Sequence, residues 1–399
     1  MRYIYRKHPS KLATLMVTFG AGSRVEFESK YPSGIAHFME HVRFKGTKSY
    51  TAKDLLDITA RSGGSWNAWT SEDLVSYHMT IPEENIETAF KCLSEIIIRP
   101  SFPKEELKKE QEVVCQEVRM YDDDIDSLVQ QKMFASIFEN SLAIPIIGTE
   151  ESVRQITRKN IVDFNKEFYS KEHMLITLAA PNDHEHLVEK YFGIPDNTLL
   201  FPPKSKKIKY KKPKYQEVVK PEQLQNVISV GFAGSALRKA TLKKRAAVKV
   251  FNTIFGGGDT SRLFLRVRED LGLVYGIGSY VVDGMDGSMM DIYTSTEPEN
   301  TETVIGAINE EIEKMKADPP KNEDMERANN IILSSYYGSL DTSLSAANKT
   351  LVEEFFGQPA GSEFLAQIRE VTPKEVQEVA NDVFNCSQYL VVGTGKIAG

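Results

Sequence analysis

Cysteine is scarce in this chain. Cys92, Cys115 and Cys386 are the only three in 399 residues, and no two stand in C-x-x-C spacing. An odd, scattered set argues against a disulfide framework, and it fits a reducing cytoplasm. No apolar run approaches the roughly 20 residues that a membrane-spanning helix needs. The opening stretch, MRYIYRKHPSKLATLMVTFG, lacks the apolar core of a secretory signal. Arg2, Arg6, Lys7 and Lys11 mimic part of a transit peptide, but residues 12–19 read as a strand of the fold, which leaves little to cleave. The expectation is a soluble, cytoplasmic protein with no membrane partner. A surplus of positive charge is missing too: 49 Lys and Arg stand against 56 Asp and Glu, a net charge of −7. That balance argues against a nucleic-acid partner.

What is present is the make-up of an ordinary globular protein, 41% apolar and 26% charged, in a chain long enough for two domains. Residues 12–22 (LATLMVTFGAG) form a β-rich run. Residues 51–60 read as a helix, with Thr51 and Asp54 in capping-box spacing. Residues 65–81 (SWNAWTSEDLVSYHMTI) read as a hairpin around Ser71-Glu72-Asp73, and 83–98 as an amphipathic helix. A long charged helix starts near Lys104; 150–169 follows as helix, 174–180 as strand and 184–192 as a short helix. Composition then shifts: 195–213 carry Pro202, Pro203 and the lysines 204, 206, 207, 209, 211 and 212. This is either an exposed interdomain linker or a basic patch for an anionic partner. After it the order of elements begins again. Residues 226–234 (NVISVGFAG) repeat the character of the first run, a helix over 239–255 runs into Gly256-Gly257-Gly258, and 373–383 and 389–392 close the chain as helix and strand. The pattern predicts a duplicated α+β protein: a domain over 1–200, a Pro/Lys-rich linker over 201–216 and a similar domain over 217–399.

The chemistry concentrates in residues 34–47, GIAHFMEHVRFKGT. His37, Glu40 and His41 spell H-x-x-E-H. On a helix, residues four apart share a face, so His37 and His41 are placed to hold one Zn²⁺ while leaving coordination positions open. Glu40 borders that face and is placed to take a proton without being a ligand. Ser33 reads as the N-cap of this helix. Downstream, Glu110, Val114, Glu117 and Tyr121 recur at i, i+4, i+7 and i+11, one helix face. Glu117 is the candidate third ligand and Glu110 a partner for a metal-binding histidine, because a carboxylate on an inward face needs a cation or donors. Spacing alone leaves a second reading open, in which both sit in the solvated charge run of 104–112. The second half has no H-x-x-E-H, so only the first half can hold the metal.

Four segments together, GIAHFMEHVRFKGT, GGSWNAWTSEDLVSYHM, EQEVVCQEVRMY and FGGGDTSRLFLRVREDLGLVY, resemble the inverzincin metallopeptidases, the family of pitrilysin, insulin-degrading enzyme and mitochondrial processing peptidase. The chain is most similar to the short, two-domain, processing-peptidase-like members. The resemblance implies two similar domains, each a mainly antiparallel sheet packed with helices. It implies a zinc endopeptidase with one Zn²⁺ per chain, held by His37, His41 and Glu117, with Glu40 as general base and Glu110 in support. Asn67, Ala68, Trp69 and Thr70 match the family's edge strand, to which a peptide adds as an extra strand; the alternative for Trp69 is a plain core aromatic. Arg268 and Tyr275 match an Arg/Tyr pair that reaches the zinc site across a closed chamber, where Tyr stabilises an oxyanion. Read alone they are a helix-surface Arg and a core Tyr. The three glycines match a loop before that helix. The implied partners are an unfolded peptide or protein substrate and a second copy of the chain, as a homodimer. The competing reading is a non-catalytic homologue, an assembly or peptide-binding subunit. One departure stands out: Arg43 occupies a position where relatives carry an apolar residue. Three residues after Glu40, it is within ion-pair reach, and such a pair would lower the Glu40 pKa and weaken the base.

Overall fold

The apolar runs become the centres of two sheets with one plan. In the computed structural model, residues 1–200, 210–213, 215–220, 223–234, 240–284, 287–359 and 361–394 are described. The first sheet comprises β1 (Arg2–Lys7), β2 (Leu12–Phe19), β3 (Ser65–Thr70), β4 (Val75–Pro82) and β5 (Met174–Ala180), in the order β1-β5-β2-β4-β3. The second comprises β6 (Tyr215–Val219), β7 (Asn226–Gly234), β8 (Val274–Gly284), β9 (Gly287–Thr296) and β10 (Gln388–Thr394), in the order β6-β10-β7-β9-β8. Each sheet pairs one edge strand in parallel with its neighbour (β1 with β5, β6 with β10) and every other pair antiparallel. Strand for strand the two orders coincide, which is the duplication that the repeated runs predict.

β2 is buried on both faces from Ala13 onward, so it reads as a continuous apolar run rather than an alternation. β4 alternates instead. Val75, Tyr77, Met79 and Ile81 point into the helix-covered core, and Ser76, His78 and Thr80 lie on the other face. The predicted helix over 150–169 is two helices, Glu150–Arg154 and Arg158–Phe168, because Thr157 starts a fresh capping box with Asn160.

The chain forms two compact units, and a single cut does not separate them. The first holds residues 1–119, 145–204 and 337–358; the second holds 120–144, 205–336 and 359–399. In the first, helix Ser343–Phe355 packs on β5, β2 and β1, and Thr14 Oγ1 meets Ser343 Oγ at 2.9 Å. In the second, helix Ile125–Ile137 packs on β7, β10 and β6. That helix lies close to the sheet because Gly231 and Gly393 have no side chain. A Cβ on Gly231 would meet Met133 Sδ at 2.5 Å, and one on Gly393 would meet Val129 Cγ2 at 2.6 Å. The lysine-rich linker, read from sequence as 201–216, falls mostly outside the described residues. Among the described residues, no helix is long and apolar enough to cross a membrane.

Candidate metal centre

The H-x-x-E-H residues lie on helix Ile35–Arg43. Its start differs from the sequence reading. Gly34, not Ser33, is the N-cap, at φ +86°, and a Cβ there would meet the Ile147 carbonyl oxygen at 2.5 Å. The exposed N–H groups of the first turn are met by a buried carboxylate from upstream. Glu26 accepts from the Gly34 N–H and the Ala36 N–H, each at 2.7 Å. Nothing local in the sequence marks Glu26 for this task.

His37 and His41 share one face, with their Nε2 atoms 3.3 Å apart. Helix Lys104–Asp123 brings Glu117 to them: Oε1 is 3.8 Å from His37 Nε2 and Oε2 is 3.5 Å from His41 Nε2. One ligand atom from each of the three residues lies within 4.8 Å of the others. Two turns earlier on that helix, buried Glu110 accepts from His41 Nδ1 at 2.8 Å, and its other oxygen pairs with Lys45 Nζ at 2.7 Å. An imidazole that donates from Nδ1 turns its Nε2 lone pair toward the other two groups.

The donor set fits Zn²⁺. Ligands at about 2.05 Å on a tetrahedral ion are about 3.3 Å apart, which is the spacing of the two Nε2 atoms. Charge agrees with geometry: Glu40, Glu110 and Glu117 crowd two imidazoles, with Lys45 as counter-cation. Burial disfavours the charged form of both histidines. At His41 the bonds to Glu110 and Glu117 and the charges of Glu40 and Glu110 overcome it, pushing the pKa up to about 9. At His37 burial and the His41 charge outweigh the pull of Glu117, and the pKa falls to about 4. A site that draws a proton onto His41 is short of positive charge, and a divalent cation meets that demand.

Glu40 stands beside this cluster without belonging to it. Its Oε2 accepts from Thr70 Oγ1 at 2.6 Å, so the last residue of β3 orients it. Burial raises its pKa above the ordinary carboxylate value, with Glu117 adding to the rise while Thr70 and His41 oppose it.

Arg43 does not pair with Glu40. It is fully buried, and its Nη1 donates to the carbonyls of Ile96 and Ile97, both at 2.9 Å. Its Nη2 donates to Asn165, and the guanidinium lies 3.9 Å over the Tyr169 ring. The two carbonyls end helix Ile86–Ile98, where unmet acceptors and the negative end of the helix dipole favour a cation. That preference draws Arg43 inward, so the expected weakening of Glu40 has no geometric basis.

Asn67, Ala68, Trp69 and Thr70 lie on β3, the outermost strand of its sheet. Trp66 and Ala68 face the core, with the Trp66 ring 5.0 Å from Phe44. Asn67 and Trp69 stand opposite His78 and Ser76 on the other face, so Trp66 rather than Trp69 is the core aromatic. Arg268 and Tyr275 belong to the second unit and are brought to each other: Arg268 Nε donates to the Tyr275 carbonyl at 2.9 Å. Arg268 also pairs with Glu269 and lies over the Phe264 ring. It sits on a π-helical turn, Phe264–Asp270, that the sequence does not announce. Tyr275 is 90% exposed, which removes the core reading. The three glycines end helix Leu242–Gly256 in a turn, Gly258 at φ +126°.

Residues 2–150 match the family described as Insulinase (Peptidase family M16), and residues 155–332 match the Peptidase M16 inactive domain. The chain belongs to peptidase family M16. Among the relatives of this M16 chain, a protein of Rickettsia bellii named as an uncharacterized zinc protease is 29% identical over 395 residues, covering 95% of this chain and 91% of that protein. Another so named, from Bacillus subtilis, is 28% identical and covers 96% and 93%. Of the solved structures, a protease from Helicobacter pylori superposes with a TM-score of 0.89 at 20% identity, over 98% of this chain and 96% of that one. A peptidase M16 inactive domain from Pseudomonas fluorescens gives 0.88 at 18% identity, over 99% and 96%. These superpositions carry the short two-domain M16 fold. The segment that matches the inactive-domain model, residues 155–332, contains no H-x-x-E-H.

Proposed function

We propose that this M16 chain is a zinc-dependent endopeptidase that cleaves unfolded peptides or short protein segments. The observation that carries the reading is the convergence of His37, His41 and Glu117 at ligand spacing beside a carboxylate that is not part of the set. One Zn²⁺ per chain would be held by those three residues, and when bound it would polarise the scissile carbonyl and acidify water. Glu40, with Oε2 held by Thr70, keeps Oε1 for the proton of the attacking water and hands that proton to the leaving amine. Its burial-raised pKa suits a base that must both take and return a proton. Glu110 fixes the His41 ring from behind. A peptide in extended form adds to β3 along Asn67, Ala68, Trp69 and Thr70, backbone to backbone. Tyr275, with Arg268 holding its backbone, is the donor for the oxyanion. It would be supplied by the second copy in a homodimer.

The names of the M16 relatives support zinc and proteolysis. The inactive-domain names leave one competing reading open, a peptide-binding or assembly subunit. One experiment separates them. The wild-type chain should carry about one equivalent of zinc and hydrolyse a quenched fluorescent peptide. Glu40→Gln should keep the zinc and lose about 10²- to 10⁴-fold in rate, whereas Glu117→Ala should lose both. Zinc retained in full by Glu117→Ala would remove it from the ligand set. A zinc-loaded wild type with no hydrolysis would favour the binding subunit.

A further inference from the structure

Lys45 has no role in the scheme above, yet it touches the residue behind the metal centre. It stands four residues after His41, in the turn that closes helix Ile35–Arg43, where its N–H donates to the Val42 carbonyl at 3.2 Å. Both side chains reach Glu110. His41 Nδ1 takes Oε1 at 2.8 Å and Lys45 Nζ takes Oε2 at 2.7 Å. The Glu110 side chain is 5% exposed, whereas the Lys45 ammonium is partly open to solvent. Lys109, the sequence neighbour of Glu110, turns away to Glu106. Among the described residues, Lys45 is thus the fixed positive charge on this carboxylate.

We propose that Lys45 is a positioning residue of the metal centre, acting through Glu110 to hold the His41 ring in its ligating orientation. This rests on the zinc reading above. A buried carboxylate with a single imidazole partner is free to rotate about its last torsion and is costly to keep charged. With one oxygen tied to Lys45, the other has one direction left, and that direction meets His41 Nδ1. The three residues form a line in which the ammonium fixes the carboxylate and the carboxylate fixes the ring. Loss of a group in such a supporting line costs about 10- to 100-fold in metal affinity.

The test is a double-mutant cycle read as zinc dissociation constants by chelator competition, with Co²⁺ absorption as a second probe of ligand geometry. Lys45→Met and, as a second neutral variant, Lys45→Gln should weaken zinc about tenfold and alter the Co²⁺ bands. Lys45→Arg should stay within a few-fold of wild type. Glu110→Gln should weaken zinc at least as much, and adding Lys45→Met to it should change nothing further, because the line is already cut. Zinc affinity unchanged or tightened in both neutral variants overturns the proposal. So does a Lys45→Met loss that persists undiminished in the Glu110→Gln background, since Lys45 would then act elsewhere. A wild-type chain that takes up no zinc overturns the metal reading itself, which is a distinct result.

Discussion

Glu40, half-buried, and Asp291, fully buried, are both carboxyls pushed above their ordinary pKa, and they show that such a shift marks a functional group only in context. Glu40 has one oxygen held by Thr70 and stands beside two histidines and Glu117. Asp291 is fully buried in β9, with Ser229 Oγ donating to one oxygen and Tyr280 OH to the other, both at 2.7 Å. Burial outweighs these bonds and raises its pKa to about 6 from 3.8. The folded chain therefore binds this proton more tightly than the unfolded chain. The stability it contributes is complete below about pH 4 and is lost as pH rises through about 6. Asp291→Asn should be more stable than wild type by at most roughly 3 kcal/mol at pH 8, with the advantage gone near pH 4. Urea midpoints at the two pH values check this. A difference that does not change with pH would assign the titration to another group.

At the scale of elements, helix Ile35–Arg43 is held at both ends by contacts outside the helix itself. Glu26 meets its first N–H groups, and Arg43 ties its last turn to the end of helix Ile86–Ile98. Arg43→Leu leaves the Ile96 and Ile97 carbonyls buried without that donor, at a cost of about 3–5 kcal/mol. Chemical denaturation should show a loss of this size. The acidic limb of the kcat/KM profile should stay in place, because Arg43 points away from Glu40. A shifted limb with little loss of stability would restore the Arg43–Glu40 pair.

At the scale of the whole molecule, duplication leaves one metal helix and one Arg/Tyr pair per chain, in different units. If a homodimer completes each site, one copy offers Glu40 and the other Tyr275, and two-fold symmetry makes two such sites. Loss of one oxyanion donor costs about 10²- to 10³-fold in rate, so Glu40→Gln and Tyr275→Phe homodimers should each be nearly inactive. Unfolded together and refolded, they should recover activity, since mixed dimers hold one site with both good residues. Mixing demonstrated by differential tags, with no recovery, would place the whole site within one chain.

Local periodicity carried much of this protein. Side chains four or seven apart on a helix share a face whatever surrounds them, so the His37–His41 pair and the Glu110–Glu117 pair were each legible in the sequence, as were the hairpin and the repeat of the β-rich runs. Thr51 with Asp54 gave a true capping box for the same reason. The tertiary structure decided everything that depends on contacts between distant residues. It put Gly34 rather than Ser33 at the N-cap, where the backbone is left-handed, and met the first N–H groups with the Glu26 carboxylate. It sent Arg43 to the carbonyls of a neighbouring helix, since a buried cation goes where acceptors are left over. It seated helices Ile125–Ile137 and Ser343–Phe355 on sheets from the opposite halves of the chain, which no contiguous domain boundary can express. Periodicity fixes which side chains share a face; only packing fixes what that face meets.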